Sequence, residues 1–297
     1  MTSRTLKKAS LTGARVHRAD VSDPLVRLNV RSASRHGGYG WVRDLPDARD
    51  YLYAAPLYRF PGGLPPSVDL RSECPAVYDQ GQLGSCTGNG IAGAIEFDQR
   101  KQGNKEFTPS RLFIYYNERV IEGTVSQDSG AQIRDGIKVV VKQGAPPETD
   151  WPYSDADPGP FQQKPPQTAY ADATHHEALV YKRILLSGPG AALQTALAAG
   201  HPVVFGFSVP SYFEDGSWDA TRQSLPVPSP SDHFIGGHCV VLSGYDFTRT
   251  RFPNPAYQVE NSWGPGWGMN GRFWMDAGWF DANARLASDF WVITRVT

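Results

Sequence analysis

Cysteine is scarce in this chain: three in 297 residues, at Cys74, Cys86 and Cys239. A small odd number excludes a disulfide-stapled scaffold and fits a reducing compartment, so a cytoplasmic location is expected. The three also lack the paired spacing of a structural zinc site. Apolar runs are short, none near the ~18 residues of a membrane span, and no membrane partner is expected. The opening MTSRTLKKASLTGARVHRADVSD has basic residues but no apolar core, so no secretory leader is visible. A net charge of -1 gives no global reason to expect nucleic acid. What the chain has instead is loop chemistry, with 30 Gly and 24 Pro. With 20% charged and 40% hydrophobic residues, this is a globular composition rich in turns, not a helical bundle.

Charge is unevenly spread. Residues 1–65 carry a net +6 and the remainder -7. The first 36 residues show no periodicity and read as a flexible tail. Residues 37–60 differ, because Tyr39, Trp41, Tyr51, Tyr53, Tyr58 and Phe60 crowd a segment too short to fold alone. Such aromatics are expected to dock on the rest of the chain, either along the cleft, where they would restrict access like a propeptide, or as a structural strap on the back of the fold, with Arg43, Arg49 and Arg59 facing its acidic surface. The turn-rich Pro61-Gly62-Gly63-Leu64-Pro65-Pro66 marks the boundary. This gives a basic extension over 1–63 and a main domain over 64–297.

Helices come first in that domain. Ser85–Gln102 closes at Gly103, and its small residues (Thr87, Gly88, Gly90, Ala92, Gly93, Ala94) predict close packing on both sides. A second helix is predicted from Thr108-Pro109 to Glu122 and a third over 131–143. Residues 146–177 read as a long loop. A short helix over 189–199 precedes strands at 202–209, 239–245, 257–260, 272–275 and 290–296. Helices followed by strands imply an α+β fold of two subdomains, about 64–180 helical and about 181–297 a twisted antiparallel sheet, with a cleft between.

Three signals carry chemistry. Cys86 stands at the head of the buried helix, where the positive N-terminal potential favours a thiolate. His238 follows Gly236-Gly237 at a strand, where glycines let a backbone or ligand approach. Asn261 ends a strand before the Gly/Trp loop Ser262-Trp263-Gly264-Pro265-Gly266-Trp267-Gly268. Taken singly, each is as readily structural. Cys, His and Asn in that order form an arrangement that activates a thiol. Competing motifs are weak. Gly88-Asn89-Gly90-Ile91-Ala92-Gly93 matches G-x-G-x-x-G without a strand leading into it, and the histidines lack metal-ligand spacing. Neither a metal nor an organic cofactor is expected.

With Gln80-Gly81-x-x-Gly84-Ser85-Cys86, Gly237-His238 and Asn261-Ser262-Trp263-Gly264, the sequence resembles the papain family of cysteine peptidases. Within that family it looks most like disulfide-poor, xylellain-like bacterial members. Leu64-Pro65-Pro66-Ser67-Val68-Asp69-Leu70-Arg71 resembles the start of the family's catalytic domain. The resemblance implies hydrolysis of a peptide or protein substrate through an acyl-enzyme. It gives Cys86 as nucleophile, His238 as acid–base, Asn261 as its orienter and Gln80 as an oxyanion donor. Ser129 and Gly130 would pair with an extended peptide. Ala131 and Cys239 would line the pocket for the second residue upstream of the cut, expected to be roomy and apolar; Gly237 is also expected to touch substrate, and Trp263 and Trp267 to lie beside Asn261. Leu83 replaces a common family cysteine, Gly237 replaces a frequent acid, and the helical propeptide of plant and lysosomal members is not recognisable in 1–63. Acyl transfer by the same triad and non-catalytic peptide binding remain alternatives at this stage.

Overall fold

The computed structural model describes residues 38–56, 60–186, 191–281 and 285–297; Tyr58, Arg59 and the tail before residue 38 lie outside them. Among the described residues there are five α-helices and ten strands. In chain order these are β1 (Trp41–Val42), β2 (Ser67–Asp69), α1 (Cys86–Gln102), α2 (Arg111–Glu122), β3 (Ala131–Gln132), α3 (Ile133–Lys142), α4 (Gln167–Ala173), β4 (Ala178–Ile184), α5 (Ala191–Ala198), β5 (Val203–Pro210), β6 (Ser224–Leu225), β7 (Phe234–Asp246), β8 (Ala256–Glu260), β9 (Arg272–Asp276) and β10 (Ala287–Val296). An eight-stranded sheet runs β4-β10-β5-β7-β8-β9-β6, with β2 paired to β7. The expected α+β architecture is the one observed: helices α1–α4 on one side, the sheet on the other.

Helix α1 is buried from Cys86 through Gln99. Its glycines explain how. A Cβ on Gly88 would stand 2.7 Å from the Arg111 carbonyl on α2, and one on Gly90 would stand 3.2 Å from Cys239 Sγ on β7. The helix is thus pressed between α2 and the sheet, and Gly103 ends it at φ 67.

Several boundaries differ from the sequence expectation. Helix α2 starts at Arg111 because the Ser110 hydroxyl accepts from the Phe113 amide and caps it. Residues Ala131–Gln132 are strand, not helix, because they pair with β1. The presumed loop 146–177 contains α4 and a 3-10 turn at Pro160–Gln162. Helix α4 presents only Ala169 and Ala173 to the core, a weak periodic signal. It is held by Tyr170, whose ring meets Phe113 at 4.8 Å and whose hydroxyl donates to Asn117. Strand β7 extends back to Phe234, so His238 lies within a strand rather than at its start.

The loop leading to β3 hangs on a buried cation. Arg119 is fully buried and donates to the carbonyls of Tyr115, Val125, Gln127 and Phe161. Truncation would leave these acceptors dry, so Arg119→Ala should cost ~3 kcal/mol or more. For a domain of this size that lowers the thermal midpoint by roughly 6–12 °C, measurable by calorimetry.

Candidate active site

The site forms where the loop before α1 meets the loop after β8. Main-chain bonds join the two: Gln80 N–H donates to the Ser262 carbonyl at 2.8 Å and Gly264 N–H to the Tyr78 carbonyl at 2.9 Å. Arg111 braces the first loop by donating to the Asp79 carbonyl and to Asn89 Oδ1, and Tyr153 donates to the Gln80 carbonyl.

Gln80, Cys86 and His238 are each 0% exposed and Asn261 is 3% exposed. His238 Nε2 donates to Asn261 Oδ1 at 2.7 Å, and the Ser262 amide donates to the same oxygen at 2.8 Å. An amide oxygen only accepts, so the proton sits on Nε2 and Nδ1 carries a lone pair. That Nδ1 makes no hydrogen bond. The Trp263 ring stacks on the imidazole at 5.1 Å and 27°. Around the Cys86 sulfur lie the backbone amides of Cys239, Gly40 and Thr87. Burial nevertheless pushes the thiol up to about 12 and the imidazole down to about 4. Burial here works against the charged form of both groups.

The cause is the segment at 38–42, which fills the cleft. Gln80 Nε2 donates to the Gly38 carbonyl at 2.9 Å and to the Leu83 carbonyl at 2.7 Å, while Gln80 Oε1 accepts from Ser262. Tyr39 lies edge-on to His238 at 5.8 Å, and its hydroxyl donates to Glu214. Ala131 N–H donates to the Gly40 carbonyl at 2.7 Å, and Trp41 pairs in parallel with Ala131. The Trp41 carbonyl and ring press on Gly237.

Of the residues expected to touch substrate, Ala131, Gly237, Cys239 and Trp263 come together here. Gly130, at φ 70, passes close under Gly40 but gives its own N–H to Tyr115, so Ala131 supplies the strand contact. Ser129 turns away, its hydroxyl directed to Thr124 and the Gly130 carbonyl. Trp267 packs behind Trp263, at 5.2 Å, against Phe213 and Phe273.

The strap continues over 43–56, and its anchors are acidic rather than basic. Asp50 bridges Arg134 at 2.7 Å and Arg183 at 2.6 Å. Asp44 accepts from the Arg134 amide at 3.0 Å and from the Trp291 indole at 3.0 Å, while its amide donates to Asp289. Arg49 pairs within its own segment with Asp47, and Arg43 donates to the Arg285 carbonyl. The expectation that Arg43 and Arg49 grip the acidic body is therefore corrected. The -7 surface is not what binds the strap; buried Arg134 and half-buried Arg183 are.

These elements define a thiol site of the kind found in cysteine peptidases. A family model described as papain family cysteine protease matches residues 64–288, and the chain belongs to that family. Its fold is similar to xylellain, a cysteine protease from Xylella fastidiosa, with a TM-score of 0.80 and 41% identity over 90% of this chain and 100% of that one. A peptidase C1-like protein of Acanthamoeba polyphaga mimivirus is 38% identical over 91% of this chain and 90% of its own length. Human cathepsin L2 is 28% identical over 78% of this chain and 66% of its own. The chain is accordingly a peptidase, a hydrolase of the papain type. The three cysteines are free and buried.

Proposed function

We propose that the chain is a cysteine endopeptidase held latent by its own residues 38–56. The reading rests on the His238–Asn261 bond beside a cysteine that heads a buried helix. With the cleft open to water, desolvation no longer works against the charged forms of Cys86 and His238. Nδ1 takes the thiol proton, and the helix N-terminus and the amides around the sulfur stabilise the thiolate. Cys86 attacks the scissile carbonyl while Gln80 Nε2 donates to the developing oxyanion, an effect worth ~2.7–4 kcal/mol per donor. His238 returns the proton to the leaving amine, and water then hydrolyses the thioester. The family match favours this course over acyl transfer or non-catalytic binding.

Latency follows from the strap's register. Its Gly38 carbonyl takes the Gln80 donor, while the Gly40 amide meets the sulfur. No single strap peptide bond meets both groups, so the strap occupies the site without being a substrate.

Asn261→Ala should lower kcat by about 10–100-fold with KM little changed, a part of the 10²–10⁴ that acid–base catalysis supplies. The imidazole loses its orienting acceptor but keeps its base. Full activity in this variant, at equal titrated Cys86, would remove Asn261 from the mechanism.

A further inference from the structure

Gln80 is held by three groups before any substrate arrives. Its Oε1 accepts from the Ser262 hydroxyl at 2.5 Å, one N–H of Nε2 goes to the Leu83 carbonyl at 2.7 Å, and the other reaches the Gly38 carbonyl of the strap at 2.9 Å. The Ser262 and Leu83 bonds remain when the strap leaves, and they fix where the second N–H points. The Leu83 carbonyl belongs to the peptide unit that joins Leu83 to Gly84. Such a unit is planar and trans, so its C=O and N–H point in opposite directions. The Gly84 N–H is taken by both carboxylate oxygens of Asp128, at 3.1 and 3.0 Å. Fixing one end of the plane fixes the other: turning the N–H off Asp128 would swing the Leu83 carbonyl off Gln80.

Asp128 comes from the loop before β3, 44 positions further along the chain. Buried neighbours aim it there. Arg119 takes the carbonyls of Val125 and Gln127 on the turn that carries it. The Tyr115 hydroxyl donates to Asp128 Oδ1 at 2.5 Å and accepts from the Gly130 amide at 3.1 Å. Gly84 is buried, and a Cβ on it would stand 3.2 Å from Asp128 Oδ1, so backbone and carboxylate meet with nothing between. A carboxylate on a backbone N–H is among the stronger hydrogen bonds.

We propose that Asp128 is a positioning residue for the oxyanion donor, acting through the 83–84 peptide to aim Gln80. The inference rests on the endopeptidase reading for the role of Gln80, but not for the bonds that hold it. Its consequence is a transition-state effect. Substrate binding does not draw on the aim of Gln80; the charge that develops on the carbonyl oxygen does. Loss of Asp128 should therefore lower kcat and leave KM little changed.

The test uses the full-length Asp50→Ala chain, whose strap is loosened, as background for a double-mutant cycle with Gln80→Ala. Gln80→Ala should lower kcat by about 100-fold, the lower end for one oxyanion donor. Asp128→Ala should lower it by about 10-fold, and Asp128→Asn by no more than about 3-fold, because an amide oxygen still accepts from both Gly84 and Tyr115. With Gln80 already removed, Asp128→Ala should cost less than about 2-fold more, since the two act as one unit. Alkylation of Cys86 by iodoacetamide forms no oxyanion and should run at an equal rate with or without Asp128. Asp128→Ser, one bond too short to reach Gly84, replaces Asp128→Ala should that variant misfold. The same cycle is read on an activated p-nitrophenyl ester, which acylates Cys86 through an oxyanion and contains no peptide bond. An ester cycle of this form while no peptide is cut supports the role of Asp128 and defeats the endopeptidase reading. A loss that persists in full without Gln80, a matching loss in alkylation, or an asparagine variant no better than alanine overturns the proposal.

Discussion

Cys86→Ala should lower peptide hydrolysis by on the order of 10⁴-fold or more, as loss of a nucleophile does. Cys74→Ala should stay within a few-fold of wild type. All three thiols are buried and free, so burial does not distinguish them. Position does. Cys74 lies away from the cleft and directs its thiol to the Leu70 carbonyl at 3.5 Å, and burial beside Glu260 raises its pKa. Cys239 packs its sulfur against Gly90, on the helix side of the strand that carries His238. Cys239→Ala should keep turnover while altering the pocket wall. Initial rates on one fluorogenic peptide, normalised to folded protein, decide the matter. Comparable losses in Cys74→Ala and Cys86→Ala would mean that the thiols act structurally.

The opposite effect is expected at Asp50. Full-length Asp50→Ala should cut a small peptide at least ~10-fold faster than wild type. Breaking one side of a fully buried ion pair costs about 3–5 kcal/mol; Asp50 is half-buried, so solvent screening leaves a part of that, and each 1.4 kcal/mol is tenfold in the balance of docked and released strap. Arg134 and Arg183 both lose their shared partner in this variant. A lowered thermal midpoint with unchanged turnover would make the strap structural only.

The same cluster sets a pH dependence. It packs two buried carboxyls (Asp44, Asp289) and the half-buried Asp50 against two guanidiniums (Arg134, Arg183), and Arg43 acts on Asp289 from the rim. Burial raises Asp289 to about 7, with Asp44 adding to the rise, and burial raises Asp44 as well. Such acids favour the docked state below their ordinary pKa of ~4, a contribution lost as pH climbs through about 7. Burial opposes Asp50, but Arg134 and Arg183 hold it below the ordinary carboxylate range, so its contribution is lost only on strong acidification. The strap should be tightest near pH 4, loosen as pH climbs from about 4 to 7, and change little above. The activity ratio of wild type to Asp50→Ala should therefore climb toward unity between about pH 4 and 7 and level off above. A ratio that climbs on acidification through pH 5 instead would reverse the assignment.

Cys86, His238, Asn261 and Gln80 were legible because each sits in a short local pattern of glycines, serine or tryptophan. The small-residue run of α1 announced its burial for the same reason. The strap was legible only as a density of aromatics. That Trp41 enters between Gly206 and Gly237, distant in sequence, is a property of strand pairing, which composition does not reveal. The anchors were misread because net charge is summed over the surface. Asp44 and Asp50 are instead matched to Arg134 and Arg183, 84 to 133 positions further along. Helix α4 was hidden by its alanines, and β4 by a boundary drawn through it.

The strap is part of the chain it covers, so its return to the cleft is unimolecular. A short tether holds it at an effective concentration in the millimolar range. Dilution leaves the closed fraction unchanged, and neighbouring molecules do not shut one another. A free peptide copying residues 38–56 would have to reach millimolar levels to match the attached one. Latency on these terms belongs to each molecule separately and ends only through an event on that molecule: proton loss from the buried cluster, a cut in the tether, or capture of the strap by something else.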